Sequence, residues 1–519
     1  MSILLGVVTA AGTYADLPTL LLAVCACLLT YLYLQRPRNL PPGPRGWPLV
    51  GNLPTMAKSD FLPATFTELS KQYGDVMTIW AGRDTNIVLS GYETIRTALV
   101  KRAEDFSSRR LPPGIADIRG DATTKDTETA KGVLFAAYGP EWKHQRKFAL
   151  MTLRDFGVGK RSLEGKISEE ANALVQEILS QNGQPFDLKV IAQNGVSNII
   201  CSIVFGHRFE YGDPDFLRLM SLLNTVVEAR PSVGDRLIMI HPVFRHLPLG
   251  NGRFAGKRSK GVEMLLTFQE FCKEQIENHR QTFDPNDIRD FIDAFLLEQQ
   301  RPQDEKAREN FTDKQLQEVL IDLFTAGTET TATTIRWALL YMMVNPEIQE
   351  KVHQEIDSVL GQSPPSYAQR NLLPYTAATI AEVQRIKPIV PLSVPHAASS
   401  DTTLNGYNIP QEARIMVNLW SVHMDPELFP EPGSFRPERF LDQDGNFAKH
   451  EALIPFSIGH RICLGEQLAK MELFMLFVSL MQRFTFHLPE GAPKPSMVGK
   501  LGGIINVPFP FELCAVPRG

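Results

Sequence analysis

The chain has 519 residues, 43% hydrophobic and 21% charged, with 36 Gly and 37 Pro, a balance that excludes collagen-like, low-complexity and wholly disordered classes. A net charge of -5, from 53 Lys+Arg against 58 Asp+Glu, provides no sequence-wide basic field for a phosphate backbone, and nucleic acid is not an expected partner. The six cysteines (Cys25, Cys27, Cys201, Cys272, Cys463, Cys514) are scattered, with no CxxC pair, and read as reduced thiols.

The first predicted element is a membrane span. Leu17 to Leu34 carries no charge, which suits a helix of about 20 residues crossing a bilayer. Asp16 precedes it and Arg36 and Arg38 follow, the reverse of a cleaved signal peptide, so the positive-inside rule leaves the remainder in the cytosol. Residues 1–35 are expected to form an N-terminal transmembrane anchor and 36–48 a stiff Pro-rich linker, with one folded domain over 49–519. Within that domain Val76 to Trp80 and Thr85 to Leu89 read as paired strands separated by Gly82. From Tyr92 to Arg385 the pattern is mostly helical. Thr312-Asp-Lys-Gln315 is a capping box and Pro346 a stop, predicting between them one helix about 50 Å long. Its middle holds Gly327, Thr328, Thr330, Thr331, Thr333 and Thr334, whose hydroxyls compete for the helix ladder and suit a local groove. The last third returns to short strands around an apolar helix, Leu464 to Phe484.

Two nucleotide signals fail. Gly250-Asn-Gly252-Arg-Phe-Ala-Gly256 misses the GxGxxG spacing, and Gly159-Lys160 is followed by Arg161 rather than a hydroxyl, so no NAD or ATP site is readable. A stronger signal is Phe456-Ser-Ile-Gly459-His-Arg461-Ile-Cys463-Leu-Gly465, whose five informative positions arise by chance about once in ten thousand at average composition. Cys463 stands just before a helix, where free N–H groups and the positive dipole end favour a thiolate. The glycines admit close approach of a flat ligand, and Arg461 supplies a cation for an anionic group on it. A thiolate ligand to iron fits this pattern.

On these residues the chain resembles the cytochrome P450 family of haem-thiolate monooxygenases, from the Pro-rich segment to Cys514. Ala326-Gly-Thr-Glu-Thr330 resembles the family's oxygen-binding helix, Glu382-Val-Gln-Arg385 its ExxR helix, Pro437-Glu-Arg439-Phe440 its PERF segment, and Trp142-Lys-His-Gln-Arg146 its WxxxR helix. Leu40-Pro-Pro-Gly-Pro44, Val394-Pro395-His396 and Leu513-Cys-Ala-Val-Pro517 are similar to the microsomal family 2 branch. The resemblance implies a mainly α fold with a small β-region, the cytochrome P450 fold, behind the transmembrane helix. It implies haem b (iron protoporphyrin IX) with Cys463 as the metal ligand, Trp142, Arg146, His396 and Arg461 on the propionates, and Glu329 and Thr330 relaying protons. Trp142 and Arg146 share a helix face, which lets both meet one carboxylate. Glu382, Arg385 and Arg439 are assigned a structural network beneath the Cys463 loop.

The implied reaction inserts one atom of dioxygen into a lipophilic substrate: a fatty acid, steroid or xenobiotic. Because no flavin or nicotinamide motif is present, electrons are expected from NADPH through a separate reductase, with cytochrome b5 as an optional partner, at the endoplasmic reticulum membrane. A haem-thiolate peroxide isomerase is a second reading, which Thr330 argues against, and a haem sensor or carrier without turnover is a third. Pocket residues are expected from 107–136, 211–250, Phe324, Ala326, Val390 to Leu392 and Gly503-Ile504.

Overall fold

The computed structural model describes residues 18, 19, 22, 23, 26, 27, 37–82, 84–110, 130–159, 161–228, 260–301, 310–411 and 413–518. The expected anchor lies almost wholly outside the described residues, as do 111–129 and 229–250 of the expected pocket. No described helix is long and apolar enough to cross a membrane.

The architecture is mainly helical with a small β-region. Five helices position the site: α1 (Pro140–Asp155), α2 (Leu188–Val204), α3 (Asp313–Val344), α4 (Pro374–Ile386) and α5 (Glu466–Arg483). A four-stranded sheet contains β1 (Val76–Ala81), β2 (Asp84–Leu89), β3 (His396–Ala397) and β4 (Arg414–Val417), in the order β1-β2-β4-β3. β1 and β2 form a hairpin with Val76 opposite Leu89, β2 runs parallel to β4, and His396 sits on the edge strand opposite Ile415. The Pro-rich segment docks on this sheet. Thr78 donates its N–H to Pro42 O (2.9 Å) and its hydroxyl to Pro41 O (2.8 Å), and a Cβ on Gly43 would lie 2.0 Å from Thr78 O.

α3 is the axis of the molecule, its 32 residues giving about 48 Å. Thr312 accepts the N–H of Gln315 as its N-cap (3.1 Å), but Gln315 does not complete the predicted capping box. Its amide instead pairs in both directions with the backbone of Gly132 (3.0 and 3.2 Å). α2 lies along α3, and Gly327 is the point of closest approach, where a Cβ would come within 2.5 Å of Ile200 Cδ1. The threonine-rich middle does not break the helix. Thr330 and Thr334 donate to the carbonyls four residues back, Ala326 O (2.7 Å) and Thr330 O (2.8 Å), while the ladder continues. α5 begins at Glu466 rather than Leu464, because Leu464 and Gly465 still belong to the Cys463 turn.

Candidate functional site

The Cys463 loop is built from backbone. Ile462 N–H donates to Gly459 O (3.1 Å) and Cys463 N–H to Phe456 O (3.0 Å). Gly459 has φ 80°, and a Cβ there would lie 1.9 Å from Leu99 O, so only glycine fits. Cys463 retains accessible surface, yet protein crowds it on nearly every side, and that crowding governs its chemistry. Desolvation pushes the thiol up to about 11, with the Gly465 N–H and Arg146 pulling the other way. The helix terminus alone therefore does not yield the thiolate expected from the sequence; a metal cation on the sulfur would.

Above the sulfur three guanidinium groups converge. Arg461, 7% exposed, donates from Nε to Ser107 O (2.7 Å), from Nη1 to Val133 O (3.3 Å) and from Nη2 to Ala136 O (2.6 Å), and lies 3.9 Å over the Trp142 ring. Arg146 donates to Ile462 O, and Arg109 to Val394 O and Pro395 O, leaving a buried Nε without a partner. Burial, then Arg109 and Arg146, lower Arg461 to about 8; burial, then Arg146, lower Arg109 to about 9. Among the described residues no carboxylate lies within 4 Å of any of the three. His396 bonds Phe106 O through Nδ1 (2.7 Å), its buried Nε2 has no partner, and burial followed by Arg109 and Arg461 hold it well below its usual pKa. One buried and two half-buried cations around a thiol, with a neutral histidine beside them, form a donor set for a flat ligand carrying carboxylates at its edge and a thiophilic metal at its centre. A haem fits these residues.

The sequence-predicted residues do not all take their expected places. Trp142 directs its indole N–H to Val133 O (3.0 Å) rather than toward a shared carboxylate, and supports Arg461 with its ring. Glu329 is buried against α2, accepting from Gln193 Nε2 (2.5 Å) and Thr333 Oγ1 (3.1 Å). Ala326 is exposed and Thr330 half-buried although both lie at the middle of the longest helix, so α3 borders an internal opening there. Phe324 is fully buried, edge-on to Phe268 at 5.6 Å. Arg109 escaped the sequence reading because it belongs to no motif. So did Asp322, whose Oδ2 accepts the N–H groups of Val133 (2.8 Å) and Leu134 (2.9 Å) and fixes the segment holding Arg461. Its signal was legible: a lone carboxylate within the apolar run Ile321 to Phe324.

Below the loop, Glu382 meets Arg385 (Nε–Oε2 2.7 Å) and Arg439 (Nε–Oε1 3.0 Å), with both arginines buried. Arg385 also donates to His423 O (2.8 Å), and His423 Nε2 accepts Ile454 N–H (3.0 Å), carrying the network to the strand of chain that leads into the Cys463 loop.

The cytochrome P450 family pattern matches residues 41–515. Cytochrome P450 2U1 of Rattus norvegicus is 41% identical over 519 residues, covering 96% of this chain and 95% of its own. Cytochrome P450 2J2 of Homo sapiens is 42% identical (96% and 96%), and cytochrome P450 2C23 of Rattus norvegicus 39% identical (97% and 99%). The chain belongs to the cytochrome P450 family, within its family 2 branch of haem monooxygenases.

Proposed function

We propose that the protein inserts one oxygen atom of dioxygen into a lipophilic fatty acid, steroid or xenobiotic, using electrons that a separate reductase takes from NADPH, with cytochrome b5 as an accessory donor. The observation that supports this reading best is the trio Arg109, Arg146 and Arg461 around Cys463 with no carboxylate among the described residues to neutralise it. When bound, haem b would supply dioxygen activation at an iron held by Cys463, the thiolate favouring O–O cleavage. The three arginines would hold its propionates by charge-assisted hydrogen bonds. His396 joins them only when protonated at Nε2, which an adjacent carboxylate favours. Thr330 Oγ1 faces the opening and holds the hydroxyl proton, and the Glu329 carboxylate behind it takes up protons to replace it. Ala326 and half-buried Val390 and Leu392 exclude water from an apolar substrate.

The anchor 1–35 and linker 36–48 would tether the catalytic domain, 49–519, to the cytosolic face of the endoplasmic reticulum membrane, an orientation supported by Arg36 and Arg38. The test is turnover of a lipid and drug library by the full chain with reductase, NADPH and isotopically labelled dioxygen. One labelled atom per product is expected. Rearrangement of lipid peroxides without reductase, and no labelled product, would overturn the reading.

A further inference from the structure

The strongest unexplained group lies on the far side of Glu329. Arg336 is 4% exposed at the α2–α3 interface, its Nε has no partner, and its guanidinium lies 5.8 Å from the Phe511 ring. No carboxylate among the described residues approaches it within 4 Å. A buried cation in a helix–helix seam is costly unless compensated, and an apolar side chain would pack there without that penalty.

Its place on the helix indicates the compensation. Glu329, Thr333 and Arg336 stand at i, i+4 and i+7, on one face of α3. Thr333 Oγ1 donates to Glu329 Oε1 (3.1 Å), and helical side chains lean toward the N-terminus, which directs Arg336 back toward this pair. Across the seam Asp187, exposed at the N-cap of α2, accepts the Lys189 N–H (2.8 Å). Burial lowers the Arg336 pKa, and the charges that oppose it are Asp187 and then Glu329. The two lie at opposite ends, one in solvent and one at the site. Gln193, one and a half turns into α2, closes the inner end by its bond to Glu329 Oε2.

We infer that Asp187, Arg336 and Thr333 form the proton entry route to Glu329, a polar column through the α2–α3 seam along which hydrogen-bonded water carries protons from solvent to the buried carboxylate. Arg336 stays protonated throughout. It orients the water and holds the Glu329 carboxylate in place, so it is a positioning residue. A proton taken up at Asp187 is matched by one delivered to a Glu329 oxygen and passed toward Thr330, with no net change in the column. This inference rests on the proposed relay role of Glu329.

The test compares D187N, R336M, R336K and E329Q in the haem-loaded full chain with reductase and NADPH. Peroxide released per product, and the solvent deuterium isotope effect on product formation, are measured beside the carbon monoxide spectrum and melting temperature. R336M and D187N are expected to raise peroxide per product about tenfold and to enlarge the isotope effect, with the spectrum unchanged and R336K recovering part of the coupling. The melting loss of R336M/E329Q should fall short of the sum of the two single losses. Wild-type coupling in R336M and D187N while E329Q uncouples would overturn the route alone, as would additive melting losses. Wild-type coupling in E329Q would overturn the relay reading and the route with it. D187N, at an exposed position, keeps the test decisive if R336M does not fold.

Discussion

Two groups of buried and half-buried arginines flank the Cys463 loop, and they are built on opposite terms. Beneath it, Arg385 and Arg439 share the Glu382 carboxylate, and Arg385 adds carbonyl bonds to His423 and Pro432 (2.8 Å each). Above it, Arg109, Arg146 and Arg461 have carbonyls for partners, and besides burial Arg146 lowers the pKa of Arg109 while Arg109 and Arg146 lower that of Arg461. Identical side chains are neutralised within the fold in one case and left cationic in the other. Buried charge demands compensation, so the lower set is finished by folding, whereas the upper set is finished by a ligand bearing negative charge.

The largest effect expected from this contrast is on folding. Glu382→Gln leaves two guanidinium groups buried without an anion, a loss of about 3–5 kcal/mol, and urea unfolding should show it, if the variant accumulates at all. Arg146→Met in the upper set removes an uncompensated charge and should cost less than about 1 kcal/mol. Equal losses would erase the distinction between the two sets. Next in size is the sulfur itself. Cys463→Ala should abolish the red-shifted carbon monoxide band of the reduced protein, since a thiolate ligand produces that band in this family; its survival would break the ligand assignment.

Arg461→Met sharpens the contrast further. It should leave helical content unchanged while speeding haem transfer to an excess of acceptor protein about tenfold to a hundredfold, the weight of one charge-assisted contact to a carboxylate. Unaltered haem retention would show that the upper cations serve the fold alone.

Much of this was legible from residue patterns, because local signals carried it. The β1–β2 hairpin and the extent of α3 follow from short β-branched runs, the Thr312 cap and Pro346. α5 starts two residues later than its apolar pattern predicts, since an apolar Leu464 in a turn looks like the first turn of a helix. The site was legible as motifs but not as contacts. Trp142 and Arg146 do share a face of α1, but the carbonyl that takes the indole N–H belongs to Val133, held from another direction by Asp322 on α3. Arg109 has no local signature. Its role arises only where β3, α1 and the Cys463 loop meet, and no periodicity in sequence encodes that meeting.

Glu472 offers the most controlled test, because it is a buried ionisable group compensated in a third way. On α5, 1% exposed, its Oε2 accepts the Thr331 hydroxyl (3.1 Å) while Oε1 has no partner. No basic group opposes its desolvation, and the carboxyl is pushed up to about 8 from an ordinary 4.5. The native state therefore keeps a proton that the unfolded chain releases. With the folded pKa raised, the contribution to stability is full below about pH 4.5 and is lost as pH rises toward 8, a change on the order of 5 kcal/mol. Glu472→Gln holds the shape of the neutral acid at every pH and lacks this slope. Urea unfolding of both proteins between pH 5 and pH 9 should show curves that nearly meet at the acid end and diverge upward in pH, with the glutamine variant the more stable at the alkaline end. Parallel curves would mean that Glu472 is ionised in the fold, and that a buried charge here is tolerated without a partner, a ligand or a proton, against the rule that separates the two arginine sets.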